Sequence, residues 1–282
     1  MFQAEDRNLF TAHSLTLALQ DFIETVVGWM RGGYRFDPVA AELAFGGRDA
    51  ALPAWEIDLE EGHRLALRGL IDRVDIAAGG NPGEAFAVVV DYKSSQHQVD
   101  PVLLANGVQL QLPAYAASLR RIVPAGTFGA VTRLVPVGVF YVNLRSQPPP
   151  ASSRRDVLGE EVAARGQSYQ HRGRFSVAAL PLLDQNCRTT NPSGQFACRL
   201  KRDGQPYANC SDPLPAERFA ALLDQVEGQL QHMGREILAG AAQVDPYRKG
   251  ATESACDRCE YQSLCRIEPT THNFRRLEAP PD

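Results

Sequence analysis

Two stretches decide how the chain is read: Gly69-Leu70-Ile71-Asp72-Arg73-Val74-Asp75, and Phe86-Ala87-Val88-Val89-Val90-Asp91-Tyr92-Lys93. Phe86–Val90 is apolar at every position, which marks a strand covered on both faces. Charged groups directly beyond such a strand sit at its end, partly wet or bound to a counter-ion, because an unpaired buried ion is expensive. Neighbouring strands ending in Asp72 and Asp91 would offer both carboxylates to one divalent cation, and oxygen ligands suit a hard ion such as Mg²⁺ (or Mn²⁺). Strand alternation puts Asp91 and Lys93 on one face, with the Tyr92 carbonyl as a further oxygen. Lys93 then orients or helps deprotonate a water, or offsets charge on a phosphate under attack, while the ion lowers the pKa of bound water. Asp75 competes with Asp72 as ligand, since the phase of the strand is open. Arg68 and Arg73 are phosphate-facing candidates or, equally, ion-pair partners.

Outward from this centre, Leu15, Leu19, Phe22, Ile23, Val26, Val27 and Met30 recur at helical spacing, predicting a helix over 14–31 stopped by Gly32-Gly33. A short strand is expected over Ala40–Phe45, then strands at 54–60 and 64–71 flanking Glu61-Gly62, the second extending toward Ile76. Residues 102–121 read as a helix that Pro113 should kink or divide. Val135–Asn143 is a strand with Pro136 near its start. Gln147–Ser153 has the composition of a solvated loop. A helix near 156–165 and a hairpin near 195–208 about Arg202-Asp203-Gly204 follow. Phe219, Leu222, Leu223, Val226, Leu230, Met233 and Ile237 define a last helix ending near Gly240.

Composition excludes several classes. Of the 282 residues 44% are hydrophobic, too many for a disordered chain and enough for one good core. No GxxxxGK[ST] occurs, so the chain is no helicase or ATPase by itself. Lysine appears only as Lys93, Lys201 and Lys249, arginine supplies 26 of the 29 basic residues, and the net charge is -4; a basic coat for indiscriminate nucleic-acid binding is absent. No apolar run suits a membrane span and the N-terminal stretch lacks a signal-peptide core, so a cytoplasmic protein is expected.

Cys256-x2-Cys259-x5-Cys265 packs three of the six cysteines into ten residues. Soft thiolates so spaced hold zinc or an iron–sulfur cluster, and the polar segment between them makes burial without a metal unattractive. Cys187, Cys198 and Cys210 are scattered without ligand-like spacing. His272 would complete a Cys3His zinc set.

The order GLIDRVD, VVVDYKSS, then Gln111-Leu112-Pro113-Ala114-Tyr115, then the cysteine tail resembles the RecB-like branch of the PD-(D/E)xK nuclease superfamily, and more narrowly the C-terminal nuclease domain of the B subunit of AddAB-type helicase–nucleases. The resemblance covers roughly 10–147 and 200–269. It implies an α/β fold, a mixed β-sheet flanked by helices in a restriction-endonuclease-like core. It implies that Asp72, Asp91 and Lys93 bind metal and activate water, and that Gln111 and Tyr115, four apart on one helical face, position DNA or the catalytic groups. Glu42 resembles a glutamate on the strand before the catalytic pair. The cysteine tail resembles that family's [4Fe–4S] segment. There a fourth cysteine lies far upstream and a metal-site histidine sits on an early helix; here no cysteine precedes Cys187, and His13 looks too late in the chain. The polypeptide therefore reads as the C-terminal part of a longer protein, its cluster absent, labile, or completed by Cys187, Cys198, Cys210 or another ligand.

Three regions are expected: 1–147, N-terminal helix and nuclease core; 148–215, linker and insertion; 216–282, helix and cysteine-rich segment joined to the core. The function implied is Mg²⁺-dependent exonucleolytic cleavage of single-stranded DNA ends in double-strand-break repair, with a helicase–nuclease A subunit or other motor delivering DNA and no membrane. The alternatives are an inactive structural or DNA-guiding remnant, and a stand-alone nuclease.

Overall fold

The computed structural model describes residues 4–95, 97–145, 166–188, 194–196, 198–208, 210, 212–250, 253–257, 259–268 and 272–280. Helix α1 (Ala4–Gly33) leads into β1 (Asp37–Phe45). A hairpin of β2 (Trp55–Asp58) and β3 (Arg64–Leu67) then stands as a separate two-stranded sheet. The central elements are β4 (Gly69–Ala78), β5 (Glu84–Lys93), α2 (Pro101–Ala105), α3 (Gln111–Ile122) and β6 (Arg133–Asn143). After β7 (Arg172–Ser176), α4 (Leu180–Leu183) and β8 (Pro213–Leu214) comes the long helix α5 (Ala216–Leu238). The tail carries β9 (Tyr247–Lys249), β10 (Glu253–Ser254), α6 (Gln262–Cys265) and β11 (Arg275–Arg276).

The main sheet runs β1-β4-β5-β6-β7-β8. Its β5–β6 and β7–β8 pairs are parallel and the other three antiparallel. This is the mixed sheet expected, with the all-apolar strand β5 in its interior. One face meets α3 and α5 through Val89, Leu112, Ala116, Leu119, Phe219, Leu223 and Val226. The other meets α1 and the described residues between 169 and 200 through Val88, Val90, Phe22, Val26, Tyr169, Phe175 and Phe196. Each face of β5 is therefore buried, which is why its sequence shows no alternation.

Several local readings change. Helix α1 extends well beyond 14–31, and only its C-terminal half is covered: Phe22 and Val26 are buried while Leu15, Leu19 and Ile23 are exposed. Arg68 separates β3 from β4, so 64–71 is not one strand. The break in the 102–121 helix falls before Pro113. Asp100 caps α2 by accepting from the N–H groups of Val102 and Leu103, Gly107 takes the left-handed φ of 73° that ends it, and α3 starts at Gln111. Pro113 thus lies in the first turn, where its missing N–H would have had no helical partner. Pro136 sits inside β6, at a register shift and beyond the β7 pairing that begins at Gly138, so it deprives β7 of no ladder bond.

Within 148–215, residues 146–165 and so the helix read near 156–165 lie outside the described residues. The described part supplies β7 and β8 to the main sheet. A tight turn at Lys201–Gln205 matches the hairpin about Arg202-Asp203-Gly204. The tail is tied to the α2 region by the Lys249–Asp100 ion pair and by Asn106, which exchanges hydrogen bonds with the Glu278 backbone.

Candidate active site

The β4–β5 ladder stops at Arg73↔Val90, and one step further the same register sets Asp72 opposite Asp91. Here the strands part. The Tyr92 N–H donates to Asp72 Oδ2 (2.8 Å). On the other side, β1 pairs with β4 through Ala41↔Arg73 and Leu43↔Ile71, which brackets Glu42 against Asp72. Glu42 has a left-handed φ of 50°, uncommon for a residue with a side chain. The pleat resets at this level in both strands: Ala40 and Leu43, and likewise Val74 and Ile71, pack toward the same core face although each pair is three apart. Beyond β5 the row continues, since Asp91 pairs with Tyr141 of β6 and Tyr141 with Arg172 of β7. Glu42, Asp72, Asp91, Tyr141 and Arg172 thus form one line across five strands.

Asp91 is 3% exposed. Lys93 Nζ lies 2.6 Å from Asp91 Oδ2 but off the hydrogen-bonding direction, so this buried oxygen has a counter-charge and no aligned donor. Burial pushes the Asp91 carboxyl above its ordinary range; Lys93 opposes this and the Asp72 carboxylate adds to it. Lys93 also lies 5.5 Å from the centre of the Tyr141 ring. Burial and the nearby Asp91 push Tyr141 up to about 12. Gln111 Nε2 donates to Tyr115 Oη (3.1 Å), and the Tyr115 ring meets Phe45 edge-on. Gly69 makes this approach possible: a Cβ there would stand 2.5 Å from the Phe45 ring and 2.8 Å from Tyr115.

Asp75 and Arg73 are placed elsewhere: Asp75 as a competing metal ligand is corrected, and of the two readings of Arg73 the ion pair is the one seen. Asp75 is fully buried on the α1 face, accepting from Arg73 Nε (2.6 Å) and Tyr34 Oη (2.6 Å). With its oxygens so engaged and solvent excluded, it is no metal ligand. Arg73 spends its guanidinium on Asp75 and the Tyr92 hydroxyl (3.0 Å) rather than facing a phosphate. Its ion pair and hydrogen bonds with Asp75 outweigh desolvation and hold its pKa above the ordinary value. Arg68 is exposed on the short link between β3 and β4. His13 lies within α1, on its exposed half, rather than just before the helix.

Reading the chain alone missed Tyr141, Arg172 and His97. His97 helps to hold Asp91 charged and its ring lies 5.8 Å from that of Tyr141. Strand β6 gave no signal for Tyr141 beyond an aromatic in an apolar run, because its register against β5 is set by a distant crossover.

Among the described residues no three His, Cys, Asp or Glu side chains are already gathered in metal-holding geometry. Cys256, Cys259 and Cys265 nevertheless line one cavity of about 320 Å³, walled by Val244, Pro246 and Ile267, with Asp245 and Gln262 also at its edge. His272 belongs to a different cavity, and its Nδ1 accepts from the Glu268 N–H; the Cys3His zinc set is not assembled. Cys187 and Cys198 are buried in the core on the α1 face, with Cys210 packed against it, and none of them lines the tail cavity, so they do not complete its thiol set.

A family profile described as the PD-(D/E)XK nuclease superfamily matches residues 2–266. The chain is 32% identical over 269 residues to the B subunit of the ATP-dependent helicase/deoxyribonuclease of Moorella thermoacetica, covering 93% of this chain and 22% of that protein. It is 33% identical over 248 residues to the protein of that name from Symbiobacterium thermophilum, covering 86% and 20%. The Lysinibacillus sphaericus protein is 30% identical over 249 residues, covering 86% and 21%. The chain thus spans about a fifth of the length of these curated relatives. No helix among the described residues is long and apolar enough to cross a membrane. With its mixed sheet, its acidic row at the β4–β5 opening and a profile match over almost its whole length, the chain belongs to the PD-(D/E)XK nuclease superfamily.

Proposed function

We propose that the chain hydrolyses DNA phosphodiester bonds with a divalent cation, acting exonucleolytically on single strands passed to it by a helicase partner during repair of broken DNA ends. The observation that carries this reading is the row Glu42–Asp72–Asp91 at the point where β4 and β5 part, with Lys93 against Asp91. The donor set fits a hard cation: carboxylate oxygens of adjacent strands, one of them buried and lacking an aligned donor. Asp72 and Asp91 would hold Mg²⁺ or Mn²⁺, with Glu42 beside them and the Tyr92 carbonyl as a further oxygen. When bound, the ion supplies charge to the phosphate and a more acidic water.

The protein's own groups do the rest. Lys93 keeps Asp91 ionised and places a positive charge where the phosphate gathers negative charge. The Tyr92 N–H fixes one oxygen of Asp72. The Gln111–Tyr115 pair stands at the start of α3 on the same side of the sheet as Asp91, where it steadies the strand. A net charge of -4 supports delivery by a partner, which we identify with the A subunit of a bacterial, cytoplasmic helicase–nuclease. The three tail thiols, facing one cavity, support a soft metal or [4Fe–4S] cluster there.

The test is cleavage of end-labelled single-stranded DNA by the 282-residue chain with Mg²⁺, abolished by EDTA, by Asp91→Ala and by Lys93→Ala. A folded sample that cuts nothing would leave the DNA-guiding reading instead. Iron and acid-labile sulfide with visible absorbance, lost in Cys256→Ser, is the result expected for a cluster in the tail; a colourless zinc-loaded sample would overturn the cluster in favour of zinc.

A further inference from the structure

Beside the acidic row lies a cleft of about 440 Å³ lined by His97, Gln98, Tyr141, Gln167, Gln170 and Arg172, among others. In a chain with 33 acidic residues, none of the described carboxylates lines it. Its floor is firm: the Asn143 amide donates to the carbonyls of Arg145 and Ser168 and accepts from the Arg145 N–H. Arg172 has one partner among the described residues, the neutral Gln170 side chain (3.1 Å). Such an arginine keeps its full charge for a ligand. In the same cleft His97 Nδ1 lies 2.9 Å from the Ser95 carbonyl, which can only accept, so Nδ1 carries the proton, and Nε2 of the neutral ring is an acceptor that gives a phosphate oxygen nothing.

We propose that this cleft is a backbone subsite, in which Arg172 and the Tyr141 edge hold the phosphodiester next to the scissile one. Arg172 stands two strands from Asp91, roughly 10 Å across the sheet. That is about one nucleotide step once the reach of an arginine is counted. The remaining lining is amide and hydroxyl, suited to phosphate and sugar oxygens and carrying no code for bases. The strand is therefore gripped on one side of the bond to be cut, and that side fixes which end of the DNA leads. The proposal rests on the nuclease reading for the identity of the scissile site.

The test measures anisotropy of a labelled oligothymidylate with the full chain in EDTA, where nothing is cut. Arg172→Gln should bind about tenfold more weakly, in keeping with loss of one charge-assisted hydrogen bond. Arg172→Gln should also flatten the salt dependence by about one unit of slope, and Arg172→Lys should recover part of the loss. One neutral methylphosphonate beside the scissile position should weaken the wild type about tenfold and the Arg172→Gln chain no further. Unchanged binding by Arg172→Gln, or additive losses, would overturn the subsite. Displacement of the oligonucleotide by thymidine monophosphate at equal concentration would make it a product site instead. Cleavage with unaltered binding in Arg172→Gln removes the subsite and leaves the nuclease; weakened binding by a chain that never cuts does the reverse.

Discussion

Asp75→Asn tests the foundation of the site. The substitution keeps the shape of the side chain and removes its charge, leaving Arg73, whose side chain is 11% exposed, without its counter-ion. Breaking one partner of a buried pair costs about 3–5 kcal/mol, a large share of the roughly 5–15 kcal/mol that holds a domain together. At about 2–3 kcal/mol per molar of urea, the unfolding midpoint should fall by roughly 1–2 M. Arg73→Met/Asp75→Leu, which removes both charges and keeps the volume, should return close to the wild-type midpoint or pass it. Arg73 also holds the Tyr92 hydroxyl, and the Tyr92 N–H holds Asp72, so Asp75→Asn should slow cleavage at saturating metal. Urea titration followed by tryptophan fluorescence and far-UV circular dichroism measures the first effect. A midpoint within roughly 0.4 M of wild type, or a double variant as damaged as the single, would show that Arg73 and Asp75 are not the buried pair described.

Asp91→Asn should abolish cleavage and leave the midpoint at neutral pH unchanged or higher. Burial raises the folded pKa of Asp91, so the stability linked to this group is complete below the ordinary carboxylate pKa and is lost as pH rises through the raised value; a clearly lower midpoint would contradict this. Gly69→Ala should cost about 1–3 kcal/mol and reduce cleavage, because the new methyl meets the Phe45 and Tyr115 rings; calorimetry with an activity assay checks both. His171, among Trp29, Phe140 and Phe196, is pushed down to about 3 by burial and by Arg73. Between that value and its unfolded pKa near 6.5 only the unfolded chain takes the proton, so stability should fall by about 1.4 kcal/mol per pH unit on acidification. His171→Phe should flatten that slope in urea titrations at pH 7 and 5.

What could be read in advance and what could not differ in range. Phe86–Val90 announced a strand covered on both faces because burial writes itself into every position, and the chain that follows it carries the acid and the lysine. Convergence of Asp72 and Asp91 followed from two strands joined by a short loop. The choice between Asp72 and Asp75 was not legible, since it turns on the reset of the pleat opposite Glu42, a backbone event without a residue signature. Pro113 misled because a proline in a first turn and one in mid-helix look alike in sequence. Tyr141 and Arg172 reach the acidic row only through pairings of β6 and β7, which depend on connections too long for local pattern to fix. The same holds for β7 and β8, which fall in the stretch expected as linker and insertion.

The parallel pairing of β5 with β6 bears on when the centre comes into being. Parallel neighbours cannot be joined by a turn, and the connection between these two carries α2 and α3 on its way. Contacts between distant parts of a chain form late, because closing the intervening loop costs entropy before any bond is gained. The β4–β5 hairpin is expected to close first, and β6 to dock afterward, bringing Tyr141 to Asp91 as the Gln111–Tyr115 helix settles. A chain still emerging from the ribosome would then possess its acids without their aromatic wall.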